Sequence, residues 1–197
     1  MLTVSAISSK EAAKVVVANH YLHRRPSISH AYGLFAPWLV GVVTFGTPAS
    51  HHMLLSASPG DTSRVIELNR LWVHDCMPRN TESWFLARAL KLLPPYIVLS
   101  YADTANGHEG YIYRAANFYY SGWTDMDRKT PRFDYIAPGK HSRDAFRTGY
   151  TDRVRRKPKI KYWTVTGNRR ERRELEKLCQ WPKLSWKETV RFKWPWA

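Results

Sequence analysis

The chain has 197 residues, 44% of them hydrophobic and 14% aromatic, which suits one compact domain with an appendage and is too short for two full-sized domains. That aromatic content argues against a disordered chain, no uncharged apolar run reaches the ~18–20 residues that span a bilayer, and the two cysteines, Cys76 and Cys179, lie in no CxxC pair. The net charge is +15, and the segment from Lys140 onward holds 18 of the 31 basic residues against 6 of the 16 acidic ones, so polyanions are the expected partners, nucleic acid before an anionic membrane.

The first twenty residues lack a basic leader followed by an apolar stretch, so the expectation is a soluble intracellular protein. Lys10–Leu22 spaces Ala12, Ala13, Val15, Val16 and Ala18 as an amphipathic helix does, and Pro26 then pushes the backbone out of helix. Ala31–Phe45 reads as two strands joined by a turn near Ala36-Pro37. Residues 46–63, rich in Gly, Pro and Ser, read as a loop. Arg64–Val73 reads as a strand with Val65, Glu67, Asn69, Leu71 and Val73 on one face and Ile66, Leu68, Arg70 and Trp72 on the other.

Asn80 is expected to cap a helix over Thr81–Leu93, which Pro94-Pro95 stop. Tyr96–Ala102 is an almost wholly apolar strand, the pattern of burial on both faces. Asp103–Gly110 reads as a loop, Tyr111–Tyr120 as a helix ended by Ser121-Gly122, and Phe133–Ile136 and Lys159–Val165 as strands. Asn168 caps a charged helix over Arg169–Leu178, and five of the nine tryptophans lie from Trp163 onward. The order implies a mixed α/β sheet domain: a core over 1–139 and a basic, Trp-rich extension over 140–197 packed on it.

Several motifs bear on chemistry. Leu93-Pro94-Pro95-Tyr96 looks like the PPY core of adenine amino-methyltransferases, but Leu93 cannot accept a hydrogen bond from an adenine amine and no glycine-rich cofactor turn is present. His108-Glu109 lacks a second histidine four residues after His108, and His20 and His23 have no third ligand in reach, so the metal question stays open. Glu67, Asn69 and Arg70 place charge and amide groups mid-strand, which costs free energy unless they are paired or functional. Asp103 ends an apolar strand, where α/β folds place ligand-facing groups, although a turn role serves equally. Ser83 lies in a first helical turn, placed for an anion or for plain capping.

Glu67-Leu-Asn-Arg-Leu-Trp-Val, Asn80-Thr-Glu-Ser83, Ser100-Tyr-Ala-Asp103, Gly107-His-Glu-Gly110-Tyr-Ile-Tyr-Arg-Ala-Ala-Asn-Phe118 and Ser121-Gly-Trp-Thr124 occur in that order. With His20-Tyr21 and Arg24-Arg25 before them, they resemble the Mom DNA-modification proteins of Mu-like phages over roughly residues 15–125. The resemblance implies a GNAT-like acyltransferase fold, a mixed β-sheet flanked by helices. It departs from ordinary GNAT enzymes in two places: Met77-Pro-Arg-Asn-Thr-Glu-Ser83 lacks the glycines of a pyrophosphate loop, and Phe118 stands where a general-acid tyrosine is usual, with Tyr119 and Tyr120 beside it.

The implied activity is conversion of the adenine exocyclic amine in DNA to a carbamoylmethyl amine, in the cytoplasm of a bacterial host, so that phage DNA evades restriction. The resemblance implies acetyl-CoA as donor, with iron as one option for the extra oxidation; the product's atoms themselves suggest glycyl-tRNA as the second donor. Under this resemblance Asp103 is the base, Arg70 and Ser83 bind phosphate or an oxyanion, and Tyr21 and His20 stack on the base or shuttle a proton. Asn69, Glu67, Tyr101 and Asn117 line the substrate site. Arg24, Arg25, Arg155, Arg156, Lys157, Lys159, Lys161, Arg169, Arg170, Arg172 and Arg173 hold double-stranded DNA. Two rival readings are a non-enzymatic DNA-binding protein on an acyltransferase scaffold and a GNAT N-acetyltransferase of another amine.

Overall fold

The computed structural model describes residues 1–125, 128–139 and 142–186. Its main sheet has seven strands: β1 (Thr3–Ala6), β2 (His30–Phe35), β3 (Leu39–Gly46), β4 (Val65–Val73), β5 (Ile97–Ala102), β6 (Tyr119–Trp123) and β9 (Ile160–Val165). They lie in the order β1-β2-β3-β4-β5-β9-β6, and β4 and β5 are its parallel pair. Two short strands, β7 (Phe133–Tyr135) and β8 (Arg153–Arg155), pair separately. The helices are α1 (Ser9–Asn19), α2 (His51–Ala57), α3 (Thr81–Leu92), α4 (Tyr111–Ala115), α5 (Ser142–Arg147) and α6 (Arg169–Leu178).

Helices cover both faces, and strand alternation sorts the core accordingly. Leu34, Phe45, Ile66, Leu68, Val98 and Tyr162 pack with Phe85, Leu86 and Ala89 of α3. On the other face Ala31 and Val42 meet Ala12 and Val16 of α1, while Val65, Ile97, Leu99 and Trp163 meet Ala57, Leu175 and Trp181. This is the mixed sheet flanked by helices expected from the sequence. The segment read as a C-terminal extension contributes β9 to the sheet interior, between β5 and β6. Its last residues, 187–197, lie outside the described ones. Among the described residues no helix is long and apolar enough to cross a membrane.

Local chemistry explains where helices begin and end. Asn168 caps α6 through a reciprocal box, its Oδ1 accepting from the Glu171 amide at 3.0 Å while the Glu171 carboxylate accepts from the Asn168 amide at 2.7 Å. Asn80 differs from the expected cap: it sits in the left-handed region (φ 70°) and its side chain makes no capping bond. The loop of 46–63 contains α2. The helix expected over Tyr111–Tyr120 stops at Ala115, because Asn117 turns left-handed (φ 60°) and Tyr119 and Tyr120 pair with Trp163 and Tyr162 of β9. Tertiary pairing overrides local periodicity there.

Gly110 is a position where glycine is required. Its φ is +80°, and a Cβ would lie 2.3 Å from the Tyr162 ring, whose hydroxyl donates to the Glu109 carbonyl at 2.7 Å. Gly110→Ala is expected to destabilise the protein by more than ~1 kcal/mol, read from urea unfolding midpoints, because it adds both backbone strain and a clash.

Candidate functional site

The parallel strands β4 and β5 are in register over three residue pairs, Val65 with Ile97, Ile66 with Val98 and Glu67 with Leu99. Beyond Glu67, β4 continues beside β3 and β5 continues beside β9. The gap opens a cleft of about 440 Å³ at the carboxyl ends of the two strands. Its walls include Tyr21, Glu67, Arg70, Tyr101, His108, Tyr113 and Lys159.

A bulge in β4 shapes one wall. Thr44 pairs with Arg70 and Phe45 with Leu68, so Asn69 is an extra residue. Before the bulge Ile66 and Leu68 face the α3 core, and after it Leu71 and Val73 do so. Glu67 and Arg70, opposite each other under strict alternation, therefore share a face. Asn69 stabilises the bulge: its Oδ1 accepts from Thr44 Oγ1 at 2.6 Å and its Nδ2 donates to the Ser27 carbonyl at 2.7 Å. Both ends of that amide are held by the scaffold.

Arg70 is half-buried and donates from Nη1 to the Asn69 carbonyl at 2.6 Å, while its Nε is buried with no partner. Burial lowers its pKa, yet a guanidinium stays charged. Burial raises the Glu67 pKa against the opposing charges of Arg70 and Lys159. The Tyr101 hydroxyl, also buried without a partner, is pushed up by burial and then by Glu67. A guanidinium and a hydroxyl with unused donors thus converge on one cleft.

The other wall is built on Asp103, at the end of β5. The buried carboxylate accepts from Lys159 Nζ at 3.1 Å and from the Ala105 amide at 3.2 Å, and the Tyr21 phenol lies close enough to feel its charge. Burial and then the Asp103 charge push the Tyr21 phenol up to about 12, so it remains a proton donor at neutral pH. His20 stacks on Tyr21 with ring centroids 4.3 Å apart, and His108 meets the same ring edge-on at 5.5 Å. Burial, then the positive charge of Arg70, His108 and His23, pushes His20 down to about 4. Its Nδ1 accepts from the Leu22 amide at 3.2 Å, so the neutral ring carries its proton on Nε2.

The cleft brings together Tyr21, His20, Glu67, Asn69, Arg70 and Tyr101 with Asp103 at its edge. Ser83 and Asn117 are not among its lining residues: Ser83 Oγ donates to the Asn80 carbonyl, and Asn117 turns the chain after α4 with its carbonyl accepting from Thr164. Arg24 and Arg25 are exposed just after Tyr21. Arg169, Arg170, Arg172 and Arg173 are exposed on α6, as are Arg155 and Lys157 on and after β8. Arg156 is paired with Asp134, and Lys161 lies over the Trp181 ring at 5.1 Å. Lys159, expected on phosphate, is instead the ion-pair partner of Asp103. His108 and Tyr113 were not anticipated as site residues, although both lie in the Gly107–Phe118 motif that follows a buried strand.

The bonded amides and acidic side chains at the α3 end of the cleft fit the diphosphate of coenzyme A poorly. At the α3 end of the cleft the amides of Cys76, Met77 and Thr81 are already bonded to His74 and Pro78, and Asp75 and Glu82 line the wall. Nor do the residues present fit iron: among the described residues no three His, Cys, Asp or Glu side chains are grouped to hold a metal ion.

Residues 1–178 match the sequence model of the Mom protein family. The methylcarbamoylase mom of Escherichia phage Mu is 37% identical over 131 residues, 61% of this chain and 54% of that protein, so the chain spans about half the length of the curated relative it matches. A GNAT-family acetyltransferase of Bacillus cereus superposes with a TM-score of 0.47 at 14% identity, over 85% of this chain and 99% of that one. A GNAT-family acetyltransferase of Streptococcus pneumoniae gives 0.48 at 9% identity, over 85% and 100%.

The unfolded His20 imidazole protonates near pH 6.5 and the folded one near 4, so between those values the unfolded state takes up a proton that the folded state cannot. Stability is therefore expected to fall as pH drops from 6.5 to 4. Urea midpoints across that window should fall less for His20→Gln than for the parent chain.

Proposed function

The chain belongs to the Mom protein family, and on that premise we propose that it modifies adenine in double-stranded DNA, converting the exocyclic amine to a carbamoylmethyl amine. The observation that carries this reading is the pairing of a buried carboxylate, Asp103, with a stacked ring, Tyr21, at the edge of a cleft holding unused donors from Arg70 and Tyr101. The protein acts on phage DNA in the host cytoplasm, where the modification protects that DNA from restriction.

The adenine amine is conjugated with its ring and is a poor nucleophile, so a base must accept its proton as the new bond forms. Asp103, held by Lys159 at 3.1 Å, takes that role in this reading. Adenine in a duplex must leave the stack to reach it, at a cost of a few kcal/mol. Tyr21, backed by His20, offers the ring on which the flipped base stacks. The Arg70 guanidinium and the Tyr101 hydroxyl supply donors for the oxyanion. The exposed arginines of α6 and those following Tyr21 hold phosphates.

The donor is a glycyl ester of the glycyl-tRNA type, a reading supported by the poor fit of the loop before α3 to a diphosphate. The adenine amine attacks the glycyl carbonyl, its proton passes to Asp103, and the ester oxygen leaves as a hydroxyl after taking up a proton. The freed glycyl amine then attacks the ring carbon that bears the acylated nitrogen. That carbon–nitrogen bond breaks, and the displaced nitrogen leaves as the terminal amide. The product is the carbamoylmethyl amine with no net oxidation, so the route needs no metal-dependent step.

Asp103→Asn keeps the carboxylate's shape and removes its basicity. It is expected to lower the modified fraction of deoxyadenosine in expressing cells by about 100-fold or more, measured by mass spectrometry of digested DNA, while DNA affinity stays within about threefold. Full modification by Asp103→Asn would remove Asp103 from the mechanism. Unmodified adenine in cells making the parent chain, with DNA binding intact, would favour the non-enzymatic binding protein.

A further inference from the structure

Between β6 and β9 the chain leaves the main sheet at Thr124 and returns at Lys159, and the two ends are clipped together. The Thr124 amide donates to the Lys159 carbonyl at 2.8 Å, and the Lys159 amide donates to Thr124 Oγ1 at 2.9 Å. Because Lys159 lines the cleft and pairs with Asp103, this excursion is rooted at the edge of the site. It has its own small architecture of β7, β8 and α5. Charge pairs brace it: Arg132 grips Asp125 and Arg156 grips Asp134. Tyr135 packs against Phe146 with ring centroids 4.8 Å apart.

Its surface is unusual in two ways. Ile136, Phe146 and Val154 are 53%, 60% and 52% exposed, so a short element bears several large apolar side chains in solvent. Residues 125–158 also carry 10 basic and 5 acidic side chains, a net +5. Apolar groups set among arginines at the rim of a site mark an interaction surface. The excess positive charge and the continuity with the cleft select nucleic acid as the occupant. A nucleotide extruded from a duplex leaves a gap in the stack, and proteins that open duplexes fill such gaps with apolar side chains while arginines hold the flanking phosphates.

We propose that the excursion between Thr124 and Lys159 is an arm that lies on double-stranded DNA beside the target adenine, its exposed apolar side chains occupying the space the flipped base vacates. This rests on the adenine-modification reading above. The arm stabilises the open duplex and takes no part in bond making, so it matters only where adenine starts out paired.

The test compares two DNA substrates in bacterial extract, which supplies the donor. In one every adenine faces thymine; in the other every adenine faces an abasic site. The full chain is compared with the Ile136→Ser/Val154→Ser double variant and with Phe146→Ser. The arm predicts a loss of about tenfold or more on the paired substrate and less than about threefold on the abasic one, since opening the pair is worth a few kcal/mol. Retained activity on the abasic substrate also certifies that the variants fold. Equal losses on both substrates, no loss on either, or a change in oligomeric state on substitution would overturn the arm. Failure of the parent chain to modify either substrate would instead overturn the adenine reading, and the arm with it.

Discussion

Two parallel strands that separate after three paired residues organise this molecule. In an intact sheet the polar backbone of β4 beyond Glu67 and of β5 beyond Leu99 would be satisfied mutually. Here β3 and β9 pair with the far edges of the two strands, and the space between their near edges is left to side chains. Glu67, Arg70, Tyr101 and Lys159 line that space, where opposite charges lie close together. The bulge at Asn69 depends on the same opening: inserting one residue turns Arg70 to the face of Glu67, and Thr44 and Ser27 hold the extra amide in place. A site follows from a defect in the sheet, and the two cores on its faces keep the strands apart.

The charges are arranged for different purposes. Lys159 pairs with Asp103, and the Asp103 charge acts in turn on the Tyr21 phenol. The ion pair fixes the position of the carboxylate. The arginines on α6 are exposed, and charges so placed act on a polyanion at long range. Truncating Lys159 and truncating Arg169 are thus different experiments, although both were basic residues of one C-terminal stretch in the sequence.

Much of the fold was legible because the elements repeat with the expected period. The β2–β3 hairpin, β5 and α6 announce themselves by apolar runs, prolines and the Asn168 cap, and Asp103 by its place after a buried strand. β6 was not legible, since Tyr119 and Tyr120 become a strand only by pairing with β9, some forty residues later in the chain. Nor was the face of Arg70: alternation assigned it opposite Glu67, and one bulged residue reversed that. Lys159 sat in a basic run whose composition suggests phosphate contact, and only the sheet register carries it to Asp103. Sequence order anticipated which residues gather at the cleft better than it anticipated their partners.

The most direct test of the central claim is to feed glycine labelled at both carbons and at nitrogen to cells making the protein, and to fragment the modified deoxyadenosine. The account predicts that both carbons and the nitrogen attached to the purine ring come from glycine, while the terminal amide nitrogen is the adenine's own. Carbons drawn from labelled acetate, or an unlabelled ring-attached nitrogen, would contradict it.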